Sequence, residues 1–313
     1  MNETVAKALS LWGMMGAEVT LIAARENAVF RARKGDASVA IRLHRQGYRT
    51  DAELTSELAW MAAAARGGIA VPAPIPSCED ALLHHVDGFQ IDVLTWLPGA
   101  PLSTPGGPLT IKDRVGTFHL LGQEMARLHA VSDTWQPPPD FTRCRWDREG
   151  LLGEGPLWDR FWENPGLSAD ERTLLSDLRT KASKDLKTLD PTLDFGLIHA
   201  DLVSANVMTH AGRIALIDFD DGGYGYRLFE VATALLKHKN EPDFPELQEA
   251  LITGYRAIRA LDTAALDLFL AIRAATYVGW NISRMHEPGA KGRNARFIQS
   301  ACREARAYLG RMQ

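Results

Sequence analysis

Four polar residues of types that can do chemistry fall within twenty consecutive positions of the chain, namely His199, Asp201, Asn206 and Asp218. Two short apolar runs accompany them, and both have the composition of buried strands, Phe195–Ile198 and Ile214–Phe219. His199 would then begin the loop after the first strand, and Asp218 would lie near the end of the second. We therefore expect the polar side chains to converge on one spot.

Phosphoryl transfer is the chemistry that this set of side chains fits. Its catalysis consists mostly of positioning and of neutralising charge, so it needs a carboxylate that accepts a hydroxyl proton and oxygen ligands that hold Mg²⁺. Asp201 could supply the first, and Asn206 with Asp218 could supply the second. The spacing H-x-D-x4-N, followed by D-F-D, predicts a kinase-type active site.

The segments HADLVSANV and IALIDFDDGGYGYRLFEVATAL resemble the catalytic and metal-binding segments of the aminoglycoside phosphotransferase family, which includes choline kinases, homoserine kinases of the second type and some bacterial protein kinases. The resemblance implies an α+β, two-lobed, protein-kinase-like fold with a small antiparallel-sheet lobe and a mainly helical lobe. By position it implies that Asp201 is the catalytic base and that Asn206 and Asp218 bind Mg²⁺. It implies for His199 a supporting role beneath the loop, not proton transfer.

Each of these residues also has an ordinary structural interpretation. A histidine at a strand end is commonly structural, and Asp or Asn in a loop commonly makes local turn bonds. The segment Leu216–Gly223 also resembles the nucleophile segment of haloacid-dehalogenase-type phosphatases. That motif would need further β-α units downstream, whereas the chain after Tyr226 reads as helix, which favours the kinase.

Composition limits the classes of protein that fit the chain. At 313 residues, with 46% hydrophobic and 24% charged residues, it resembles a soluble globular protein long enough for two lobes. A net charge of −4 gives no overall basic field for nucleic acid or an anionic membrane. Cys78, Cys144 and Cys302 are widely spaced, which indicates reduced thiols in a cytoplasmic protein. No run approaches the roughly 18 apolar residues of a membrane span.

The beginning of the chain supplies the elements of a small lobe. After a predicted helix over 8–17, turn-prone residues separate three runs of strand composition, which predicts three sequential antiparallel strands: EVTLIAA, NAVFRARK and ASVAIRLHR. The segment Asp51–Arg66 then reads as a helix that ends at Gly67 and Gly68.

Arg42 stands where the resemblance places the phosphate-contacting lysine of the third strand. Alternation puts its side chain on the face opposite Ile41 and Leu43, so it could project toward a nucleotide beneath the sheet. Glu57 on the next helix is the predicted ion-pair partner, with Glu53 one turn earlier as an alternative. Arginine in place of lysine still neutralises phosphate but with a different reach, and a solvated strand arginine is the alternative interpretation.

The nucleotide site has further candidates but no glycine-rich signature. No P-loop occurs in the chain and no G-x-G-x-x-G lies between the first two strands, which leaves Asn27 and Ala28 as candidates for backbone contacts to phosphate. A hairpin that closes on Gly88 leads into the predicted hinge at about 92–100. There the extended segment Thr95, Trp96 and Leu97 could offer backbone groups and apolar walls to adenine, while Trp96 could equally be core.

The predicted lobe boundary divides the chain into an N-terminal nucleotide-binding lobe, 1–97, and a C-terminal catalytic and acceptor lobe, 98–313. Prolines and glycines make 98–108 a loop. An amphipathic helix is predicted over 111–131 and an irregular stretch over 134–157. Four helices are predicted for the end of the chain, over 227–239, 246–260, 263–285 and 294–311.

We expect an ATP-dependent phosphotransferase in which Mg²⁺·ATP lies between the lobes and Asp201 takes up the proton of an acceptor hydroxyl. A small metabolite is the first choice of acceptor: an amino alcohol, a hydroxy amino acid such as homoserine, or an aminoglycoside. Alternatives are a protein Ser/Thr kinase of the bacterial stress-kinase type and a nucleotide-binding module without catalysis. A homodimer is left open, and no nucleic-acid or membrane partner is expected.

Residues for the acceptor are the least defined. Carboxylates and aromatic faces that could hold an amine are Asp220, Asp221, Glu230, Tyr224, Tyr226 and Trp280. Asp220 and Asp221 could also bind a second metal or be solvated, and Glu230 either supports the catalytic loop, where the family usually has Asp, or lies on the surface. Arg273 and Arg284 could hold a carboxylate, but ordinary surface arginines are the favoured interpretation of both.

Overall fold

A computed structural model of the protein describes residues 2–24 and 27–310. Its contacts divide the chain into two compact units, and neither unit is continuous in sequence. The first comprises 1–110, 124–143 and 205–220, and the second comprises 111–123, 144–204 and 221–313. The lobe boundary after residue 97 was predicted as one cut in the sequence and stays a prediction.

The first unit is built on a five-stranded antiparallel sheet in the order β1-β2-β3-β5-β4. Its strands are β1 (Glu18–Ala24), β2 (Ala28–Lys34), β3 (Ala37–Leu43), β4 (His84–Val86) and β5 (Phe89–Thr95). Asp87 and Gly88, with φ of 51° and 81°, form the two-residue turn of the β4–β5 hairpin. The prediction of three sequential strands and a hairpin closing on Gly88 is confirmed. In this register Arg42 of β3 lies opposite Asp92 of β5.

Two helices belong to the first unit with this sheet. Helix α1 (Asn2–Leu11) begins and ends earlier than the predicted helix over 8–17. It ends earlier because Gly13 and Gly16 have φ of 66° and 78° and turn the chain. Helix α2 (Asp51–Arg66) matches its predicted bounds. Thr50 and Glu53 form a reciprocal capping box at its N-terminus, which ties the side chain of Glu53 to the helix start.

A small three-stranded sheet completes the first unit, with β6 (Ala100–Pro101), β9 (Val207–His210) and β10 (Arg213–Leu216) in the order β10-β9-β6. Ala211 and Gly212, both with positive φ, make the turn between β9 and β10. The predicted strand Ile214–Phe219 therefore ends at Leu216, and Asp218 follows it in a loop. The region 98–108, predicted as loop, contains the two residues of β6.

The second unit contains a three-stranded sheet and most of the helices. Its strands are β7 (Arg145–Trp146), β8 (Phe195–Ile198) and β11 (Gly223–Tyr226), in the order β7-β11-β8. The two apolar runs that carry the polar motif thus belong to different sheets, since β8 pairs with β11 whereas β10 pairs with β9. Strands β7, β9 and β11 had no prediction, because runs of two to four residues carry little periodicity.

The helices of the second unit are α4 (Arg148–Leu152), α5 (Ala169–Leu189), α6 (Arg227–Leu236), α7 (Phe244–Arg256), α8 (Leu266–Trp280) and α9 (Ala290–Gly310). Helix α3 (Arg114–Thr134) has residues in both units. The four predicted C-terminal helices are α6 to α9; Arg311, the predicted end of the last, lies outside the described residues. The predicted helix over 263–285 ends at Trp280, and Ile282–Arg284 forms a separate 3-10 turn. Helix α5 was not predicted, although Ser168 and Glu171 form its capping box.

Helix α8, like α6, is enclosed within the second unit. It packs on α6, α9 and α5, and its residues from Leu266 to Gly279 are buried apart from Asp267. A helix that is apolar on all sides belongs in the centre of a fold. Any polar residue on α8 must therefore find its partners inside the protein. The α+β fold, with an antiparallel N-terminal sheet and a helical C-terminal part, is confirmed.

Candidate active site

The loop that carries Asp201 begins where β8 ends. Ala200 has a φ of 66°, which non-glycine residues seldom adopt. His199 is fully buried, and its Nδ1 accepts the backbone N–H of Asp201 at 3.4 Å. The carbonyl of Asp201 accepts the N–H of Val203 at 2.7 Å. The strained backbone turns Asp201 away from the strand, and its side chain is 25% exposed.

Glu230 of α6 holds this loop from within the second unit. Its side chain is fully buried, and Oε2 accepts the backbone N–H of Ala200 at 2.8 Å. Burial raises the pKa of Glu230 to about 7, although the N–H of Ala200 and the guanidinium of Arg227 favour the ionised form. Of its two predicted alternatives, support of the loop agrees with these contacts and a surface position is wrong.

Arg273 of α8 contacts Asp201 directly. Its Nη2 donates to Oδ1 of Asp201 at 2.8 Å, and the side chain of Arg273 is fully buried. Arg284 is buried as well, stacked over the ring of Trp280 with 4.2 Å between its Cζ and the ring centroid. The expectation that both are ordinary surface arginines is wrong, because α8 is enclosed on all sides and the turn after it is packed beneath Trp280.

The end of the loop is held by a chain of polar contacts within the second unit. The hydroxyl of Ser204 lies 2.8 Å from Nε2 of His238, and Nδ1 of His238 lies 2.8 Å from Oε1 of Glu241. Glu241 in turn pairs with Arg114. Together with Glu230, which binds the N–H of Ala200, these contacts hold the loop on both sides of Asp201.

The two predicted metal ligands belong to the first unit. Asn206 ends the 3-10 turn Ser204–Asn206, and its carbonyl accepts the N–H of Ile217 at 3.0 Å, so the two segments lie side by side. Asp218 has a φ of 70° and is exposed. The left-handed backbone at Asp218 is the kind of strain that is found at functional sites.

Two arginines hold the residues that follow Asp218. Arg143 is buried, and its Nη2 donates to the carbonyls of Phe219 at 3.0 Å and Asp220 at 2.5 Å. Nη2 of Arg49 donates to the carbonyl of Asp220 at 2.9 Å. The pKa of Asp220 lies above its usual value, because burial and then the charge of Glu57 outweigh the opposite effect of Arg49 and Arg143. Asp220 is thus an internal partner of arginine, which argues against its interpretation as a solvated turn carboxylate.

The donor set of the first unit suits a hard divalent cation. Mg²⁺ is held by one or two protein oxygen ligands together with water and substrate phosphates, and Asn206 and Asp218 offer a carboxamide and a carboxylate oxygen. Among residues 2–24 and 27–310, no group of three or more His, Cys, Asp or Glu side chains could hold a metal ion. The residues present therefore fit a metal shared with a phosphate ligand better than a closed protein cage.

Arg42 is buried within an ion cluster of the first unit. Its Nη1 donates to Oε1 of Glu57 at 2.7 Å, while Nε and Nη2 donate to the two carboxylate oxygens of Asp92, both at 2.8 Å. The predicted ion pair with Glu57 is confirmed, and Glu53 is instead the capping residue of α2. A solvated Arg42 is wrong.

The acids of this cluster are held ionised by their cationic neighbours. Burial opposes the ionisation of Asp92, but Arg42 and His44 outweigh it and hold its pKa at about 2. Burial likewise opposes the ionisation of Glu57, which Arg42 and then Arg143 outweigh, so its pKa lies below the usual value. Nε2 of His44 lies 2.6 Å from Oδ2 of Asp92. Sequence analysis missed Asp92, for which the one signal was a lone acid in an apolar strand.

The remaining nucleotide candidates have partners of their own within the first unit. The N–H of Thr95 donates to the carbonyl of Ala73 at 2.8 Å, and its hydroxyl accepts the N–H of Ala73. The guanidinium of Arg31 lies over the ring of Trp96 with 4.7 Å to the centroid, and Leu97 is half-buried. Oδ1 of Asn27 accepts the N–H of Arg45 at 3.3 Å. Any donor that the hinge offers to adenine would therefore come from beyond Thr95.

The structure brings together two groups of predicted residues, each within one unit. His199 and Asp201 lie in one loop of the second unit, while Asn206 and Asp218 neighbour each other in the first, where Arg42 pairs with Glu57. That all of them act on one substrate stays a prediction. Arg143 was missed because nothing in its sequence context distinguishes it from a loop arginine.

The chain matches the phosphotransferase enzyme family over residues 18–269. Amicoumacin kinase of Bacillus subtilis is 26% identical to it over 290 residues, which cover 87% of this chain and 82% of the relative. Homoserine kinase of Cupriavidus necator is 29% identical over 251 residues, which cover 75% and 70% of the two chains. A solved structure of a microcompartment-associated aminopropanol kinase superposes with a TM-score of 0.87 at 29% identity, covering 99% of this chain and 98% of the other. Within the described ranges, no helix has the length and hydropathy that crossing a membrane requires.

Proposed function

Because this chain belongs to the phosphotransferase enzyme family and is a small-molecule kinase that uses ATP with a divalent metal, we propose that it transfers the γ-phosphoryl group from Mg²⁺·ATP to a hydroxyl of an amino alcohol or a hydroxy amino acid. Asp201 is the proposed base. The acceptor oxygen forms a bond to the γ-phosphorus, the bond from that phosphorus to the β–γ bridging oxygen breaks, and ADP leaves. The proton of the acceptor hydroxyl passes to the carboxylate of Asp201.

The position of Asp201 is the observation that carries this proposal. Its carboxylate is partly exposed and follows a residue with positive φ. Glu230 accepts the backbone N–H of Ala200, His199 accepts that of Asp201, and Arg273 donates to its Oδ1. A base must be within hydrogen-bond reach of the proton that it takes, and a rigid mounting keeps it in reach.

Asn206 and Asp218 are the proposed metal ligands. Mg²⁺ would neutralise the phosphate oxygens and so favour the approach of a second oxygen to the γ-phosphorus. Arg143 and Arg49 keep the backbone next to Asp218 in place from within the same unit. A ligand held in this way loses little freedom when the metal binds.

For the nucleotide we propose contacts from Arg42, with Glu57 as its partner, and from the segment Thr95, Trp96 and Leu97, with Asn27 near the phosphates. Arg42 already donates from all three of its nitrogen atoms. Its contribution to phosphate binding would therefore come from its charge and its remaining N–H groups, not from an extended side chain that closes on the ligand.

Several residues that could hold the amine of an acceptor are engaged elsewhere. Glu230 binds the backbone of Ala200, the hydroxyl of Tyr226 donates to Asp190 at 2.7 Å, and Arg284 and Arg293 cover Trp280. Asp221 and Tyr224 are half-exposed in the second unit. We propose Asp221 as the acidic residue for an amine-bearing acceptor. Its backbone carbonyl is fixed by Nε1 of Trp146 at 2.8 Å.

The relatives are small-molecule kinases, so neither the protein Ser/Thr kinase nor the module without catalysis is favoured. We further propose that the protein works in the cytoplasm. A homodimer stays an open proposal that light scattering of the purified chain can decide.

Transfer of radioactivity from γ-labelled ATP to a panel of acceptors tests the function. The panel comprises 1-amino-2-propanol, ethanolamine, choline, L-homoserine, an aminoglycoside and casein, each with Mg²⁺ and with EDTA. We expect metal-dependent labelling of an amino alcohol or of homoserine. Labelling of casein alone would contradict the proposed acceptor class.

Two variants separate nucleotide binding from chemistry. Asp218→Ala should abolish the thermal stabilisation by Mg²⁺ and a non-hydrolysable ATP analogue. Asp201→Asn should keep that stabilisation and lose transfer by about 100-fold or more, as expected for loss of a general base. Full turnover by Asp201→Asn would remove Asp201 as the base.

A further inference from the structure

Arg273 is the residue that joins the core of the second unit to Asp201. It lies on α8, where a charged side chain has no access to solvent and must find its hydrogen-bond partners inside the protein. Its Nη2 donates both to Oδ1 of Asp201 at 2.8 Å and to the hydroxyl of Tyr277 at 3.1 Å. The two hydrogens of that nitrogen are thereby used, one on the proposed base and one on a buried anchor.

Aromatic rings hold the guanidinium of Arg273 in one orientation. Its Cζ lies 4.5 Å from the ring centroid of Trp158, 4.4 Å from that of Tyr277 and 5.2 Å from that of Phe229. Trp146 stacks on Phe229 with 5.5 Å between the centroids and backs this enclosure. A planar cation packed on aromatic faces gains from their quadrupoles and cannot change its plane without displacing them.

Fold stability does not explain why an arginine occupies this position. Within the described residues, Nε and Nη1 of Arg273 are buried and have no hydrogen-bond partner. Burying donors without partners is costly, and the carboxylate of Asp201 is 25% exposed, so it would keep its contact with water if an apolar side chain replaced Arg273. An apolar residue would fill the same enclosure at lower cost, so what it would lack is the hydrogen bond to Asp201.

We propose that Arg273 is a positioning residue for the proton transfer, which fixes the carboxylate plane of Asp201 and balances its charge. This inference rests on the proposed role of Asp201 as base. Arg273 transfers no proton itself; the acceptor proton goes to Asp201. Because one carboxylate oxygen is held by a rigid donor, the carboxylate meets the acceptor hydroxyl in one orientation and loses little entropy on the way to the transition state.

The test compares Arg273→Met with wild type, using the acceptor that the labelling panel identifies. Met keeps the apolar volume and removes the donor. We expect kcat to fall about 100-fold, with KM for the acceptor and the thermal stabilisation by Mg²⁺ and the ATP analogue unchanged. The midpoint of thermal unfolding should not fall. In the double variant Arg273→Met with Asp201→Asn, kcat should be no lower than in Asp201→Asn alone, because both changes act on the same proton.

Rescue by a small cation distinguishes positioning from a packing role. Arg273→Ala leaves a cavity between the rings of Trp158 and Tyr277, and millimolar guanidinium should raise its kcat by about tenfold, whereas sodium at equal ionic strength should not. The matched control is Arg284→Met, because Arg284 is another buried arginine on an indole and its Nη1 donates to the carbonyl of Trp280 and the hydroxyl of Ser283. Its kcat should stay within about twofold of wild type.

A smaller substitution tests the same role if the Arg273 variants do not fold. Tyr277→Phe removes one anchor of the same nitrogen and should lower kcat severalfold at constant KM. Wild-type kcat in a folded Arg273→Met, or in Tyr277→Phe when the first cannot be obtained, overturns the positioning role while leaving the kinase function intact. Absence of metal-dependent transfer by the wild type to any acceptor overturns the proposed function itself.

Discussion

The carboxylate of Glu230 and the backbone N–H of Ala200 are joined by a hydrogen bond of 2.8 Å inside the second unit. Ala200 precedes the proposed base and has a φ of 66°. A buried acceptor that binds a strained peptide stabilises a conformation that the chain would otherwise avoid. Glu230 therefore stabilises the loop of Asp201 through the backbone of the preceding residue.

Glu230→Gln should change how stability depends on pH. The pKa of Glu230 is about 7 in the folded protein, against an ordinary value of 4.5. Between these values the folded state binds the extra proton, so the free energy of unfolding falls as pH rises through this window, by at most about 3 kcal/mol. The glutamine variant cannot ionise and should lack this fall. Urea unfolding at pH 4.5 and pH 8 measures the free energy of unfolding of both proteins. An equal fall between the two pH values in wild type and variant would contradict the prediction.

Asp92→Asn should destabilise the first unit most at neutral pH. Removing one partner of a buried ion cluster typically costs about 3–5 kcal/mol, and the variant leaves Arg42 with Glu57 alone. The pKa of Asp92 is about 2 in the folded protein and ordinarily 3.8. Its contribution is thus fully present above about pH 4 and is lost as pH falls through 2. Denaturant unfolding should show that the difference in free energy of unfolding between variant and wild type is smaller at pH 3 than at pH 7. The same difference at both pH values would contradict the assigned ion pair.

Arg143→Met should weaken the binding of metal and nucleotide through the backbone next to Asp218. The variant removes the donor that Arg143 supplies to the carbonyls of Phe219 and Asp220 and leaves Arg49 on the carbonyl of Asp220. Losing a buried hydrogen bond of this kind costs about 1–3 kcal/mol. We expect a lower unfolding midpoint and a smaller thermal stabilisation by Mg²⁺ with the ATP analogue. Arg33→Met is the control, because its pair with Glu18 is exposed on both sides. If Mg²⁺ and the ATP analogue stabilise Arg143→Met as much as wild type, the backbone next to Asp218 does not depend on Arg143.

Gly254→Ala should destabilise the second unit where α7 passes α3. A Cβ at Gly254 would overlap the carbonyl oxygen of His119, and one at Gly122 would overlap that of Leu251. Forcing atoms into such a contact costs about 1–3 kcal/mol or more. Gly292→Ala in α9 is the matched control, since its Cβ would meet the tip of Arg296 at 3.7 Å and alanine favours helix by roughly 0.5–1 kcal/mol. Thermal unfolding should shift in opposite directions in the two variants.

Local rules were sufficient for part of the fold. The bounds of α2 follow from the capping residues Thr50 and Glu53 and from Gly67 after it. The Arg42–Glu57 pair was expected from the resemblance of the three strands and the helix to the small lobe of a kinase-like fold, with Glu53 as the alternative partner. The short strands β7, β9 and β11 did not follow, because they are defined by distant pairing and not by periodicity. Helix α5 begins with a capping box, Ser168 and Glu171, a local signal that is present in the sequence itself.

The sequence by itself determined the type of chemistry. The types and spacing of His199, Asp201, Asn206 and Asp218 indicated phosphoryl transfer, since that spacing is set within one short stretch of chain. Tertiary structure decided which other residues contact the predicted site residues. Asp92 reaches Arg42 through the register of β3 and β5, and Arg273 reaches Asp201 across 72 positions of sequence. Such partners are brought together by the packing of whole strands and helices, so a pattern within one short stretch of sequence does not predict them.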